Sequence, residues 1–121
     1  MIEALRQSEA ETNEPICYII SGDLAHIGPK FGDPEPVAEP FLAQSRAQDL
    51  ALLDRLEAAD SQGYFGVIAA EDDRRRICGF PPTCITLEAL RPTRGKLLHY
   101  DRYVHPRGVE SVSFASVAFF R

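Results

Sequence analysis

Two runs in this chain offer no polar face. Residues 16–20 read Ile-Cys-Tyr-Ile-Ile, and residues 112–120 read Val-Ser-Phe-Ala-Ser-Val-Ala-Phe-Phe. A strand with one face in water alternates apolar and polar side chains, because successive side chains point to opposite sides of a sheet. Runs that place only apolar or small side chains on both sides are predicted to be buried on both, as in parallel sheets covered by helices. That condition is demanding for 121 residues. Sheets average about five to six strands, and the only further strand signal is at residues 97–103. A chain of this length can bury roughly two-thirds of its unfolded surface, yet two doubly buried strands need neighbours that it barely supplies.

The remaining segments read as helices and loops. Residues 2–12 carry a weak apolar stripe of Ile2, Leu5 and Ala10 and stop before Asn13 and Pro15. In residues 45–60, Leu50, Leu52, Leu53, Leu56 and Ala59 form a broad apolar face opposite Arg46, Asp54, Arg55 and Glu57. A second helix is predicted from Ser61 or Gln62 to Glu71, with Tyr64, Phe65, Val67 and Ile68 packing, and a third over residues 83–90, with Thr83 near its N-cap. The charge cluster at residues 72–76 is read as a solvated surface. Residues 109–120 form a last strand after the turn His105-Pro106-Arg107-Gly108. The predicted class is α/β, with about three strands and four helices in the order α, β, α, α, α, β, β.

Charge and composition exclude several functions. The net charge is −5 and only Arg74, Arg75 and Arg76 form a basic run, which argues against a nucleic-acid face. No apolar stretch approaches the roughly 20 residues of a membrane-spanning helix. Residues 1–14 mix Glu3, Arg6, Glu9, Glu11 and Glu14 without an apolar run, so a cytoplasmic protein is expected. Three cysteines without paired spacing do not make a disulfide scaffold. Cys17 reads as a buried small hydrophobe, Cys84 as packed on a helix face, and Cys78 as the start of an exposed loop, Cys-Gly-Phe-Pro-Pro.

The chemistry-bearing segment is residues 21–40, which holds three glycines and four prolines and is too broken for regular structure. It opens with Ser21-Gly22-Asp23-Leu24-Ala25-His26 at the end of the first predicted strand, where open α/β sheets bind ligands. Gly22 permits a tight turn, and Asp23 could orient His26 or stabilise its protonated form. Gly22, Gly28 and Gly32 lack dinucleotide or P-loop spacing, and no four-ligand zinc pattern occurs. His99 and His105, near a strand end and a turn, read as structural or solvent-exposed.

The run from Ser21 to Asp33, Ser-Gly-Asp-Leu-Ala-His-Ile-Gly-Pro-Lys-Phe-Gly-Asp, is followed by Ile77-Cys78-Gly79 and the closing residues 112–119. Together these resemble the MEMO-like family, also called AmmeMemoRadiSam system protein B, over residues 16–119. Proteins of that family look like extradiol ring-cleaving dioxygenases of the class III, LigB-like type. The resemblance therefore implies part of an α/β/α sandwich, a mixed sheet flanked by helices with a non-haem metal pocket at one edge. It implies that Cys78 is a metal ligand to iron or copper in place of a triad carboxylate, that His26 lies beside it as ligand or acid/base group, and that Asp23 accompanies His26. It also implies that residues 1–121 correspond to the C-terminal part of the family domain, the N-terminal half with two further pocket histidines having no counterpart here.

Three functional readings follow. In the first, the chain belongs to a metal pocket of dioxygenase type, inactive without the N-terminal half. In the second, the same pocket binds a peptide or small acidic ligand, with His26, Lys30 and Arg74 to Arg76 as contacts. In the third, the chain is a split or truncated product without independent activity. The expected partners are the missing half or a second copy, with no nucleic acid and no membrane.

Overall fold

The computed structural model describes residues 1–121. In chain order it contains α1 (Ile2–Glu11), β1 (His26–Ile27), a 3-10 turn (Pro29–Phe31), α2 (Glu39–Glu57), α3 (Ser61–Ala70), α4 (Phe80–Leu90), β2 (Arg94–Val104) and β3 (Ser111–Phe120). The strands form one three-stranded sheet in the order β1-β3-β2. Both pairings are antiparallel, with His26 opposite Val112 and Tyr100 opposite Ala115. The α/β class holds, with four helices and three strands. The sheet is antiparallel throughout and not mixed.

The largest correction concerns residues 16–20, which form no strand and make no backbone hydrogen bond. A strand exists only through a neighbour that takes up its N–H and C=O groups, and no strand hydrogen-bonds to this run. Ile19 is 88% exposed, and Cys17 is exposed instead of buried. The paired strand in this region begins at His26, inside the segment read as irregular.

Helix starts move earlier than composition suggested, for one reason. Proline is tolerated in the first turn because the N–H it lacks has no intrahelical partner there. Accordingly α2 enters through Pro40, and α4 starts at Phe80 with prolines in its first turn. Thr83 is thus a buried interior residue of α4 and not its cap. Helix α3 has a side-chain cap, Asp60, which accepts a hydrogen bond from the Gly63 N–H at 2.8 Å.

Leu52, Leu53 and Leu56 of α2, Tyr64 and Ile68 of α3 and Leu87 of α4 build the core with Ile27 and Ile77, and Ala115, Val117 and Phe119 of β3 pack against it. Phe65 does not join them and is half exposed. Only one face of β3 is covered. Phe114 and Phe120, on its other face, remain 40% exposed, so β3 is not the doubly buried strand its composition predicted. The surface area reflects this: 7464 Å² is exposed, against about 6,500 Å² for a folded monomer of this mass.

Candidate functional site

Residues 72–76 fasten the site. The cluster read as a solvated run is a tight loop in which Asp72, Asp73 and Arg76 take the left-handed conformation (φ 56°, 44° and 55°), strained for residues other than glycine. Its arginines have three different fates. Arg74 is exposed. Arg75 is 2% exposed and lies between Asp49 of α2 and Glu71. Arg76 donates to Asp33 at 3.0 Å and to the His26 carbonyl at 3.2 Å. Asp33 is held below the ordinary carboxylate range: burial works against this, but the Arg76 guanidinium and the Gly28 N–H more than offset it.

The loop is stitched directly to His26. The His26 N–H donates to the Arg75 carbonyl at 2.7 Å, and the ring Nδ1 lies 3.0 Å from the Arg76 carbonyl and 3.2 Å from that of Leu24. Carbonyls only accept, so Nδ1 donates its N–H to them and Nε2 is the ring atom left facing the site. Phe31 packs edge-on against the ring at 5.3 Å between centroids. Nε2 lies 3.9 Å from the Asp23 carboxylate, which is half exposed.

Cys78 follows two residues after Arg76 and crosses over to Asp23. The Asp23 N–H donates to the Cys78 sulfur at 3.1 Å, and the Gly79 N–H donates to the Asp23 carbonyl at 2.9 Å. The two backbones are in contact here: a Cβ on Gly22 would lie 2.5 Å from the Gly79 Cα, and one on Gly79 would lie 2.8 Å from the Asp23 carbonyl oxygen. Gly22 therefore serves close approach and not a turn.

The structure thus brings together the three residues singled out from sequence. A ring nitrogen of His26, a carboxylate oxygen of Asp23 and the sulfur of Cys78 lie within 4.8 Å of one another. It leaves His99 and His105 outside the site; His99 is exposed and pairs loosely with Asp101, and His105 accepts a hydrogen bond from the Arg107 N–H. Sequence reasoning missed Arg76 as the residue that holds His26, and the signal was weak, since three consecutive arginines look alike until their neighbours are known.

The family model for Memo-like protein matches residues 2–118. The chain belongs to the Memo-like family. A MEMO1 family protein of Thermus thermophilus is 31% identical over 84 residues, which is 69% of this chain and 25% of that relative. A MEMO1 family protein of Aquifex aeolicus is 30% identical over 113 residues, 91% of this chain and 29% of the relative. The matched stretches of this Memo-like chain therefore span less than a third of the length of these curated relatives.

The basic residues that an anionic-ligand pocket would use are largely engaged. Lys30 pairs with Glu110 at 2.6 Å, Arg75 is buried and Arg76 is bonded to Asp33. Arg74 alone forms no ion pair. No helix is long and apolar enough to cross a membrane.

Proposed function

We propose that Cys78, His26 and Asp23 form one wall of a non-haem metal pocket resembling that of extradiol dioxygenases, with iron or copper as the ion. In this reading residues 1–121 correspond to the C-terminal part of a Memo-like domain, and the remaining ligands come from the part of the domain they do not cover. One observation carries the proposal. A ring nitrogen, a carboxylate and a thiol lie within 4.8 Å of one another, a donor set whose mixed hardness suits iron or copper. A thiol–imidazole–carboxylate relay would instead place the carboxylate on the ring nitrogen away from the nucleophile. Here that nitrogen, Nδ1, is taken by main-chain carbonyls, and Asp23 lies toward Nε2.

The donors suit the ion. Ligand bonds of about 2.0–2.3 Å place neighbouring ligand atoms roughly 3.5 Å apart, so drawing in the exposed Cys78 and Asp23 side chains by about 1 Å would close the set. Bound iron or copper would supply Lewis-acid and one-electron chemistry. Cys78 would donate more strongly than a carboxylate, and binding would deprotonate its thiol.

The test is metal affinity. Fe(II) and Cu(I) are titrated into wild type and Cys78→Ala, with competition by a chromophoric chelator. The expected loss in Cys78→Ala is at least tenfold, together with a thiolate-to-metal charge-transfer band that appears only in wild type. Equal affinity in both proteins would remove Cys78 as a ligand.

A further inference from the structure

The chain leaves β3 at Leu24. Up to that point the backbones pair: the Ser113 N–H donates to the Ala25 carbonyl at 3.0 Å, and the Leu24 N–H donates to the Ser113 carbonyl at 2.8 Å. Asp23 then diverts toward Cys78 and Gly79, and residues 16–20 run on without a hydrogen bond to the β3 backbone. A cavity of about 670 Å³ is lined by residues 16–20 and by residues 115–121, with the end of α4 (Thr86, Leu90 and Pro92), Leu98 of β2 and Glu9 of α1 completing its wall.

The walls define what fits. Ser113 directs both its N–H and its C=O toward the β1 side, and backbone direction alternates along a strand. The N–H and C=O groups of Ala115, Val117 and Phe119 therefore point into the cavity. Phe120, whose carbonyl accepts from the Thr93 N–H at 2.8 Å, points the other way. The one irregularity lies in β2, where Leu97 and His99 face consecutive β3 residues, so the alternation of β3 is unbroken. The opposite wall, residues 16–20, also has its backbone groups unpaired.

The two edges of the sheet differ in protection. The outer edge, β2, carries Arg94, Lys96, Asp101, Arg102 and a bulge, devices that block the addition of a further strand. The open edge of β3 has no charged residue from Ser111 to Phe120.

We infer that this cavity receives one extended, apolar polypeptide strand from outside these 121 residues, which pairs with β3 on one edge and with residues 16–20 on the other. Main chain is the only ligand chemistry that offers donors and acceptors in alternation along both sides. The lining is mostly apolar and its two charged residues, Glu9 and Arg121, are paired with each other, so it favours uncharged side chains. Family proteins have chain to draw on, since the matched stretches cover 25% and 29% of the Thermus and Aquifex relatives. A second copy of this chain fits less well. Its β3 already gives one edge to β2, and its residues 16–20, the one run with both edges free, are held at Asp23 by the bonds to Cys78 and Gly79.

The probe is a fluorescein-labelled peptide of seven alternating valines and threonines with a lysine at each end, titrated into the full chain by fluorescence anisotropy. Saturable binding is expected. It should weaken at least tenfold when either alternate set of peptide residues is N-methylated, because both edges are used. Val117→Pro deletes an N–H that faces the cavity and leaves the β2–β3 ladder whole, so it should keep a wild-type far-ultraviolet circular dichroism spectrum, with a lower melting point from lost core packing, and lose the peptide. Binding that survives methylation of either set, or no binding at millimolar peptide, would overturn the inference. So would a wild-type dimer that Val117→Pro converts to monomer, since the edge would then belong to a second copy. The methylated peptides keep the test decisive even if Val117→Pro does not fold.

Discussion

Replacing Arg75 with Met removes the centre of a buried ionic cluster and should be the most damaging single change outside the apolar core. The guanidinium donates to Asp49 at 2.5 Å, to the Ser45 carbonyl at 3.1 Å and to both Glu71 oxygens at 2.8 and 3.0 Å. Asp49 also accepts from the Tyr100 hydroxyl at 2.8 Å, which ties β2 to α2. Asp49 is fully buried and the Glu71 side chain nearly so, at 8% exposure. Met fills the space of the arginine stem but leaves two carboxylates facing each other without a cation. Breaking a buried pair from one side costs about 3–5 kcal/mol, a large fraction of the roughly 5–15 kcal/mol by which a domain is stable. At about 4 °C per kcal/mol for this size, the melting temperature should fall by roughly 12–20 °C.

Differential scanning calorimetry measures this, and two controls isolate the cause. Adding Asp49→Leu to Arg75→Met should recover part of the loss, since a carboxylate no longer stands unpaired. Wild-type stability should change little in 1 M salt, because buried pairs are poorly screened. A fall of less than about 3 °C in Arg75→Met would mean that water reaches the cluster and that the burial argument is wrong.

Two further outcomes follow from the site. Gly79→Ala places a Cβ 2.8 Å from the Asp23 carbonyl oxygen; it should lower stability by about 1–3 kcal/mol and weaken metal binding by displacing Cys78, and unchanged melting and affinity would show that the two segments can separate freely. Asp33, whose carboxyl is held low chiefly by Arg76, adds stability above its unfolded pKa of about 3.9 and loses it as pH falls through its lower folded value. The stability gap between wild type and Asp33→Asn, followed by urea unfolding, should therefore be constant above about pH 5 and shrink below it. A gap that widens on acidification would reverse the assigned direction.

Much of the site could be read from the sequence because its members lie in short, unusual strings. Asp23 and His26 are three residues apart, and the Cys-Gly-Phe-Pro-Pro string marks Cys78 as a loop residue. Local signals of that kind survive without tertiary knowledge. The fastening of the site could not be read in this way. Arg74, Arg75 and Arg76 have the same side chain in consecutive positions, and their separate fates depend on Asp49, twenty-six residues away, and on Asp33, forty-three away.

Residues 16–20 and 112–120 divide along the same line. Their composition determined that both are apolar, β-prone and in need of cover, and the three-stranded structure leaves that need partly unmet. Whether such a run becomes a strand is a tertiary matter, because its hydrogen bonds are made to another segment and not within itself. Residues 112–120 found β2 and became β3. Residues 16–20, held at Asp23 by Cys78 and Gly79, stand beside an open edge with their backbone unpaired.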